Sequence, residues 1–136
     1  MKLTLVTPEK RILIGQEVTE VTLPAFKGEL NILPGHEPLI TTLTPGIIKY
    51  KIVGGKTEEA SISWGYCNIS PEGVNVLAET VELASEVDFA AAKLDLDKSQ
   101  SRMLTETMDD ETWTHVQDKI AHSKARLQLE NSKNKH

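Results

Sequence analysis

The chain has 136 residues, 39% of them hydrophobic, and a formal net charge of −5. That length fits one modest core, or a small domain with an appendage, and excludes a large enzyme. The acidic balance gives no basic footprint for nucleic acid, and no apolar run approaches a membrane span, so membrane contact is expected only through a partner.

Composition divides the chain near residue 84. All eight glycines and six prolines lie at or before Gly73, whereas all six aspartates lie at or after Asp88. Residues 3–6 are apolar, but Thr7-Pro8-Glu9-Lys10-Arg11 ends that run well short of a signal-peptide core. Short β-branched segments recur between turn signals at 3–6, 11–14, 17–23, 29–33, 47–53, 56–63, 66–69 and 74–78, which reads as antiparallel β. Alternation is clearest over 17–23, where Val18, Glu20 and Thr22 oppose Thr19, Val21 and Leu23.

Residues 28–38 carry the tightest local constraints. Gly28 permits a bend, Leu30 and Ile32 share one strand face, and Glu29 and Asn31 share the other. Pro34-Gly35 fits the centre of a type II turn, and Glu37 is held extended by Pro38, so a stiff polar-tipped loop is predicted with His36 just past the turn. Further on, Gly54-Gly55 predicts a two-residue hairpin loop. So many short strands exceed what one flat sheet accommodates, which predicts two packed sheets or a flattened barrel with a core of Val, Ile and Leu. Cys67, the single cysteine, can form no internal disulfide and reads as a buried structural thiol suited to a reducing compartment.

After Ala84 the pattern turns helical. Ser85 offers an N-cap with Asp88 three residues on, Ala90, Ala91, Ala92 and Leu94 continue the helix, and it should end near Met103 or Thr105. An aspartate in Met108-Asp109-Asp110 caps a second helix, with Trp113, Val116, Ile120 and Leu127 on one stripe and a fraying tail after Glu130. Residues 85–111 hold eight acids and three bases, and residues 112–136 two acids and five bases. An antiparallel hairpin pairs the two signs weakly, at about 0 to 1 kcal/mol for each exposed pair, so a movable arm is expected. The fold class is therefore α+β: an antiparallel β-sandwich, residues 1–84, followed by an α-helical hairpin, residues 85–136.

Catalytic chemistry finds little support. His36 with Glu29 and Glu37 offers one histidine where a metal-binding β-sandwich site needs two or more, and no other histidine precedes His115. His115, Asp118 and His122 share a helix face but lack the i, i+4 histidine pair of helical zinc sites, and read as a solvated face. No glycine-rich loop opens a helix to cradle phosphate. Neither a catalytic residue nor a metal site is predicted.

Residues 28–39, Gly-Glu-Leu-Asn-Ile-Leu-Pro-Gly-His-Glu-Pro-Leu, resemble the Gly-Glu-Leu-Gly-Ile-Leu-Pro-Gly-His-Ala-Pro-Leu pattern of epsilon subunits of bacterial F-type ATP synthases, departing at Asn31 and Glu37. Val6-Thr7-Pro8-Glu9-Lys10, Glu17-Val18 with Leu23-Pro24, Pro45-Gly46 and residues 74–79 are similar to the same family, and the similarity covers residues 1–92. The resemblance implies a non-catalytic central-stalk subunit on the cytoplasmic face of the bacterial inner membrane. Its sandwich would sit between the gamma subunit and the c-ring and couple proton-driven rotation to ATP synthesis on the alpha and beta subunits. Lys27, Gly28 and Glu29 would face the c-ring and His36 the gamma subunit. The helices would inhibit ATP hydrolysis by extending along gamma, with Lys119, Lys124 and Arg126, and Lys133 and Lys135 beyond them, reaching acidic segments of beta.

Some relatives bind ATP as a regulatory ligand through a motif resembling Ile/Val-Asp-x-x-Arg-Ala. Residues 87–92 keep Asp88 but place Ala91 at the arginine, leaving Asp88 and Arg126 as ATP candidates and implying at most weak holding. No other cofactor is implied. A different class, a free-standing β-sandwich ligand-binding module with a helical lid, would stack aromatics in a groove, whereas Phe26, Tyr50, Trp64 and Tyr66 fall on separate segments.

Overall fold

A computed structural model describes the backbone of residues 1–134 and the side chains of residues 1–130. Nine strands precede two helices: β1 Lys2–Val6, β2 Arg11–Ala25, β3 Gly28–Ile32, β4 Leu39–Leu43, β5 Gly46–Ile52, β6 Thr57–Ile62, β7 Gly65–Ser70, β8 Gly73–Ala78, β9 Val81–Leu83, α1 Phe89–Thr105 and α2 Asp110–Asn134. The side chain of Lys133 and the whole of Lys135 lie outside the described residues.

The long strand β2 holds the architecture together. Its first half pairs with β1, from Val6↔Arg11 to Lys2↔Glu17, and its second half pairs with β3 and β5 and reaches β4 through Ala25↔Leu43. The path β1-β8-β7-β4-β2 closes through the β1–β2 pairing, while β5, β6 and β9 continue outward from β2. The result is a flattened barrel whose two layers share β2. Segments 11–14 and 17–23, expected as separate strands, are one strand with two register shifts against β1. One pairing departs from the antiparallel expectation, because β1 and β8 run parallel from Lys2↔Gly73 to Val6↔Leu77. β4 and β9 were not predicted as strands.

Leu3, Leu5, Ile69, Val74 and Val76 from one layer meet Val21, Leu23, Ile32, Ile48 and Ile62 from the other in a single buried cluster. Tyr50 is the one aromatic in it, its phenol pushed up by burial and then by Glu58. Cys67 is buried there too, and burial raises its thiol above the ordinary range against a smaller opposing effect of a hydrogen bond with Thr41.

The turns follow local chemistry. Gly35 adopts φ 84 and the His36 N–H donates to the Leu33 carbonyl at 3.2 Å, as the Pro34-Gly35 reading requires. The β5–β6 loop is longer than predicted. Ile52 N–H donates to Lys56 and Gly55 N–H to Ile52, so Val53, Gly54 and Gly55 form the loop, and Gly54 alone takes positive φ, at 73.

The cap of α1 is Asp88 rather than Ser85, its Oδ1 accepting the Ala91 N–H at 3.0 Å. Ser85 is kept out of the helix by a turn in which Glu86 N–H donates to the Leu83 carbonyl and Glu86 Oε1 accepts the Leu83 N–H. Asp109 caps α2 as expected, accepting the Thr112 N–H at 2.7 Å, and hydrogen bonds from Thr112 hold its carboxyl below the usual range. Residues 106–109 then fold α2 back on α1. The helix continues past Glu130 to Asn134, where fraying was expected. The predicted stripe on α2 is only part of its buried surface: Val116 is buried, but Trp113 is 40% exposed, and Ser123, Ala125 and Leu129 are buried instead.

Candidate functional site

The residues that the resemblance implies for partner contact, expected on one stiff stretch, lie at opposite ends of β3. Lys27, Gly28 and Glu29 are exposed at the β2–β3 hairpin, where Ala25↔Gly28 and Pro24↔Glu29 close the pairing. His36 lies half-buried in the loop beyond β3, its Nδ1 2.7 Å from the Glu37 carbonyl oxygen, which fixes the Nδ1–H tautomer as the donor. Five residues of strand separate the two loops by about 14 Å at the usual rise. Phe26, beside Lys27 and 72% exposed, joins the hairpin tip and was not singled out from the sequence as a contact.

A larger omission is the outer face of β4, β7 and β8. Thr42↔Tyr66 and Tyr66↔Leu77 stand in register across the three strands, with Ile40 two residues along β4. Ile40 is 73% and Tyr66 54% exposed, and Leu33, Leu39 and Leu77 add exposed apolar surface. A solvent-facing sheet surface this apolar is characteristic of an interaction site. The signal was present in Leu39-Ile40-Thr41-Thr42-Leu43, a β-rich run bounded by Pro38 and Pro45.

The arm meets the sandwich at β5, β6 and β9. Along β6, Ala60 and Ile62 face the core, so the buried Ser61 faces the helices, while Ser63 just past the strand accepts the Thr80 N–H with its Oγ. On α2, His122, Ala125, Arg126 and Leu129 fall at i, i+3, i+4 and i+7 and form the face toward the sheet. Arg126 is held by Glu82 of β9, with Nε 2.9 Å from Oε1 and Nη2 donating to Oε2 at 3.4 Å, and Nη1 lies 3.8 Å from Asp95 of α1. Of the three bases assigned to the regulatory arm, Arg126 is thus occupied in the compact arrangement. Lys119 and Lys124 are exposed, and among the described residues neither forms an ion pair.

A cleft of about 500 Å³ between the helices is lined by Asp95, Lys98, Arg102, Lys119, His122 and Arg126. Asp88 does not line it, its carboxylate being engaged at the α1 cap, so the two ATP candidates are not brought together there. His115 and Asp118 line a different cleft with Glu111, while His122 turns to Glu82, which splits the histidine–aspartate set. Burial raises the Asp118 carboxyl and His115 lowers it. No group of three or more histidines, cysteines or carboxylates able to hold a metal occurs among the described residues. The aromatics form no shared groove: Tyr50 is in the core, and Phe26, Trp64 and Tyr66 are exposed on separate segments.

Residues 1–84 match the family described as "ATP synthase, Delta/Epsilon chain, beta-sandwich domain". The chain is 56% identical over 129 residues to the ATP synthase epsilon chain of Bdellovibrio bacteriovorus, covering 94% of this chain and 92% of that one. It is 34% identical over 129 residues to the epsilon chain of Geobacter metallireducens, covering 95% and 92%. Among solved structures, a chain of the Euglena gracilis mitochondrial ATP synthase (OSCP/F1/c-ring) matches with a TM-score of 0.80 at 23% identity, over 92% of this chain and 78% of that chain. A chain of the Tetrahymena thermophila mitochondrial ATP synthase central stalk and c-ring matches with a TM-score of 0.63 at 15% identity, over 95% and 92%; at these identities the two structures establish the shared fold. With its sandwich matched as a family domain and 94% of its length matched at 56% identity by a curated relative, this chain belongs to the ATP synthase epsilon chain family.

Proposed function

We propose that this chain is the non-catalytic central-stalk subunit of a bacterial F-type ATP synthase, at the cytoplasmic face of the inner membrane. It couples rotation of the c-ring and gamma to ATP synthesis on alpha and beta, and its helices inhibit ATP hydrolysis. The observation that carries this reading is the 56% identity to an epsilon chain across 94% of this one, which spans sandwich and arm alike.

The sandwich is the docking body. The apolar band of Ile40, Tyr66 and Leu77, with His36 in the neighbouring loop, supplies the surface for gamma, and the exposed hairpin of Lys27, Gly28 and Glu29, with Phe26, supplies the polar contact to the c-ring. The arm has two positions: docked against β5, β6 and β9, and extended, with Lys119 and Lys124 meeting acidic segments of beta. Arg126 belongs first to the docked position, since Glu82 and Asp95 already engage it. ATP would hold the docked arm only weakly, since Ala91 stands at the arginine of the motif and Arg126 is already engaged by Glu82 and Asp95.

Affinity purification of the tagged chain from solubilised membranes tests the assignment. Gamma and the c-ring should be recovered with it. Recovery of the chain alone would contradict it.

A further inference from the structure

We propose that His122 makes the docked arm a pH-sensitive latch, holding α2 against β9 while the imidazole is neutral and releasing α2 when the ring takes a proton. Its consequence for hydrolysis rests on the inhibitory arm proposed above; the release itself is a property of the isolated chain.

The geometry sets up a conflict over one carboxylate. His122 Nε2 lies 3.9 Å from Glu82 Oε1, the same oxygen that Arg126 Nε approaches at 2.9 Å, and Arg126 Nη2 donates to the other oxygen. The guanidinium thus already balances the Glu82 charge, by an ion pair at Oε1 and a hydrogen bond at Oε2. His122 Nε2 is buried and has no hydrogen-bond partner among the described residues. A neutral ring tolerates that position, but a protonated one buries a second cation beside Arg126, against a carboxylate that already balances one.

The surroundings favour the neutral ring. From α1, Lys98 and Arg102 line the same cleft against the single acid Asp95, and Lys119 and Arg126 of α2 add two more cations. From the sheet, Glu82 and Glu79 face the ring with negative charge, and farther along, on β5 and β6, Lys49 and Glu59 lie 4.0 Å apart as an ion pair. Burial, the largest cause, pushes the imidazole below the ordinary histidine value; Glu82 pulls it up, Arg126 pushes it down, and Glu79 pulls it up. A released ring in water titrates near about 6.5. The docked state thus binds the proton less readily than the released state, so docking is strongest above that range and is lost as pH falls through and below it.

The interface is built to let go. Among the described residues, Ser61 Oγ, like His122 Nε2, is buried without a hydrogen-bond partner, and Arg126 Nε meets Glu82 as an ion pair outside hydrogen-bond alignment. Release hydrates all three. In the enzyme, the brake would be applied as the surrounding medium acidifies.

Amide exchange and histidine titration by NMR on the full chain test the latch between about pH 8 and about pH 5.5, above the carboxylate range. His122 should titrate below about 6.5, and protection at Ala125 and Leu129 should fall severalfold over the same interval while Ile69 in the core stays protected. In His122→Gln, which cannot titrate, protection at Ala125 and Leu129 should stay level. Level protection in the native chain, or an equal fall in His122→Gln, overturns the proposal. Should His122→Gln not dock even at the alkaline end, the native chain decides: a His122 midpoint at or above about 6.5 overturns the latch, and a lower one with the loss of protection supports it. In the assembled complex, hydrolysis with the native chain relative to His122→Gln should decline as pH falls. An arm that opens in the isolated chain without that decline supports the latch and contradicts the inhibitory reading.

Discussion

Gly35 and Gly73 are both glycines for a reason, but the reasons differ. At φ 84, Gly35 occupies the left-handed region where a Cβ meets the following carbonyl, and Gly35→Ala should cost about 1–2 kcal/mol. Gly73 sits in the parallel ladder opposite Lys2, and a Cβ there would run into the Lys2 carbonyl, a backbone atom that cannot swing aside. Gly73→Ala should therefore cost more, about 2–3 kcal/mol, read as the larger drop in the urea midpoint. Equal small losses would mean that β1 does not lie in this register on β8. Glu29 and His36 give the opposite expectation. Glu29 is exposed, and among the described residues the His36 side chain hydrogen-bonds to its own neighbour Glu37, so alanine at either should change stability by less than about 0.5 kcal/mol while impairing recovery of gamma or the c-ring. A large drop in melting temperature with normal recovery would assign them to the core instead.

Among the elements, the caps give the sharpest test of how the arm is built. Asp88→Ala should destabilise the helices by about 1 kcal/mol, whereas Ser85→Ala, outside α1, should change little; thermal melts followed by circular dichroism compare the two. The reverse order would restore Ser85 as the cap. The sequence supports either residue on spacing alone, and the difference lies in the Glu86–Leu83 turn, which no local pattern announces. β4 was missed for a different reason, although its composition is β-rich. Its outward Ile40 is as apolar as its buried Leu43, so the alternation that marks a half-buried strand is missing. Three residues are too few for β9 to show any period. The docking of α2 was hidden because its contacts use Ala125, Ser123 and Ser61 rather than a run of large apolar side chains. By contrast, the Pro34-Gly35 turn and the β5–β6 hairpin, apart from its loop length, were readable, since proline, glycine and strict alternation fix local geometry whatever packs around them.

For the whole molecule, the division of labour follows from what lies beneath the arm. The sandwich closes a complete core of its own, and the surface it gives to α2 is largely polar, with Ser61 and Glu82 beside the half-buried Ile47. Removing the arm exposes polar groups that water can satisfy, so a chain ending at Ala84 is expected to fold and still take its place in the stalk. The exposed Lys119 and Lys124 remain available to an extended arm, while the Arg126–Glu82 pair sets how readily the arm leaves. The most direct test of this account is ATP hydrolysis by the assembled synthase carrying either the full chain or the chain ending at Ala84, with proton-driven synthesis measured on both. The account predicts that hydrolysis rises severalfold without the arm while synthesis persists. Equal hydrolysis by the two complexes would leave the helices without a regulatory role and contradict it.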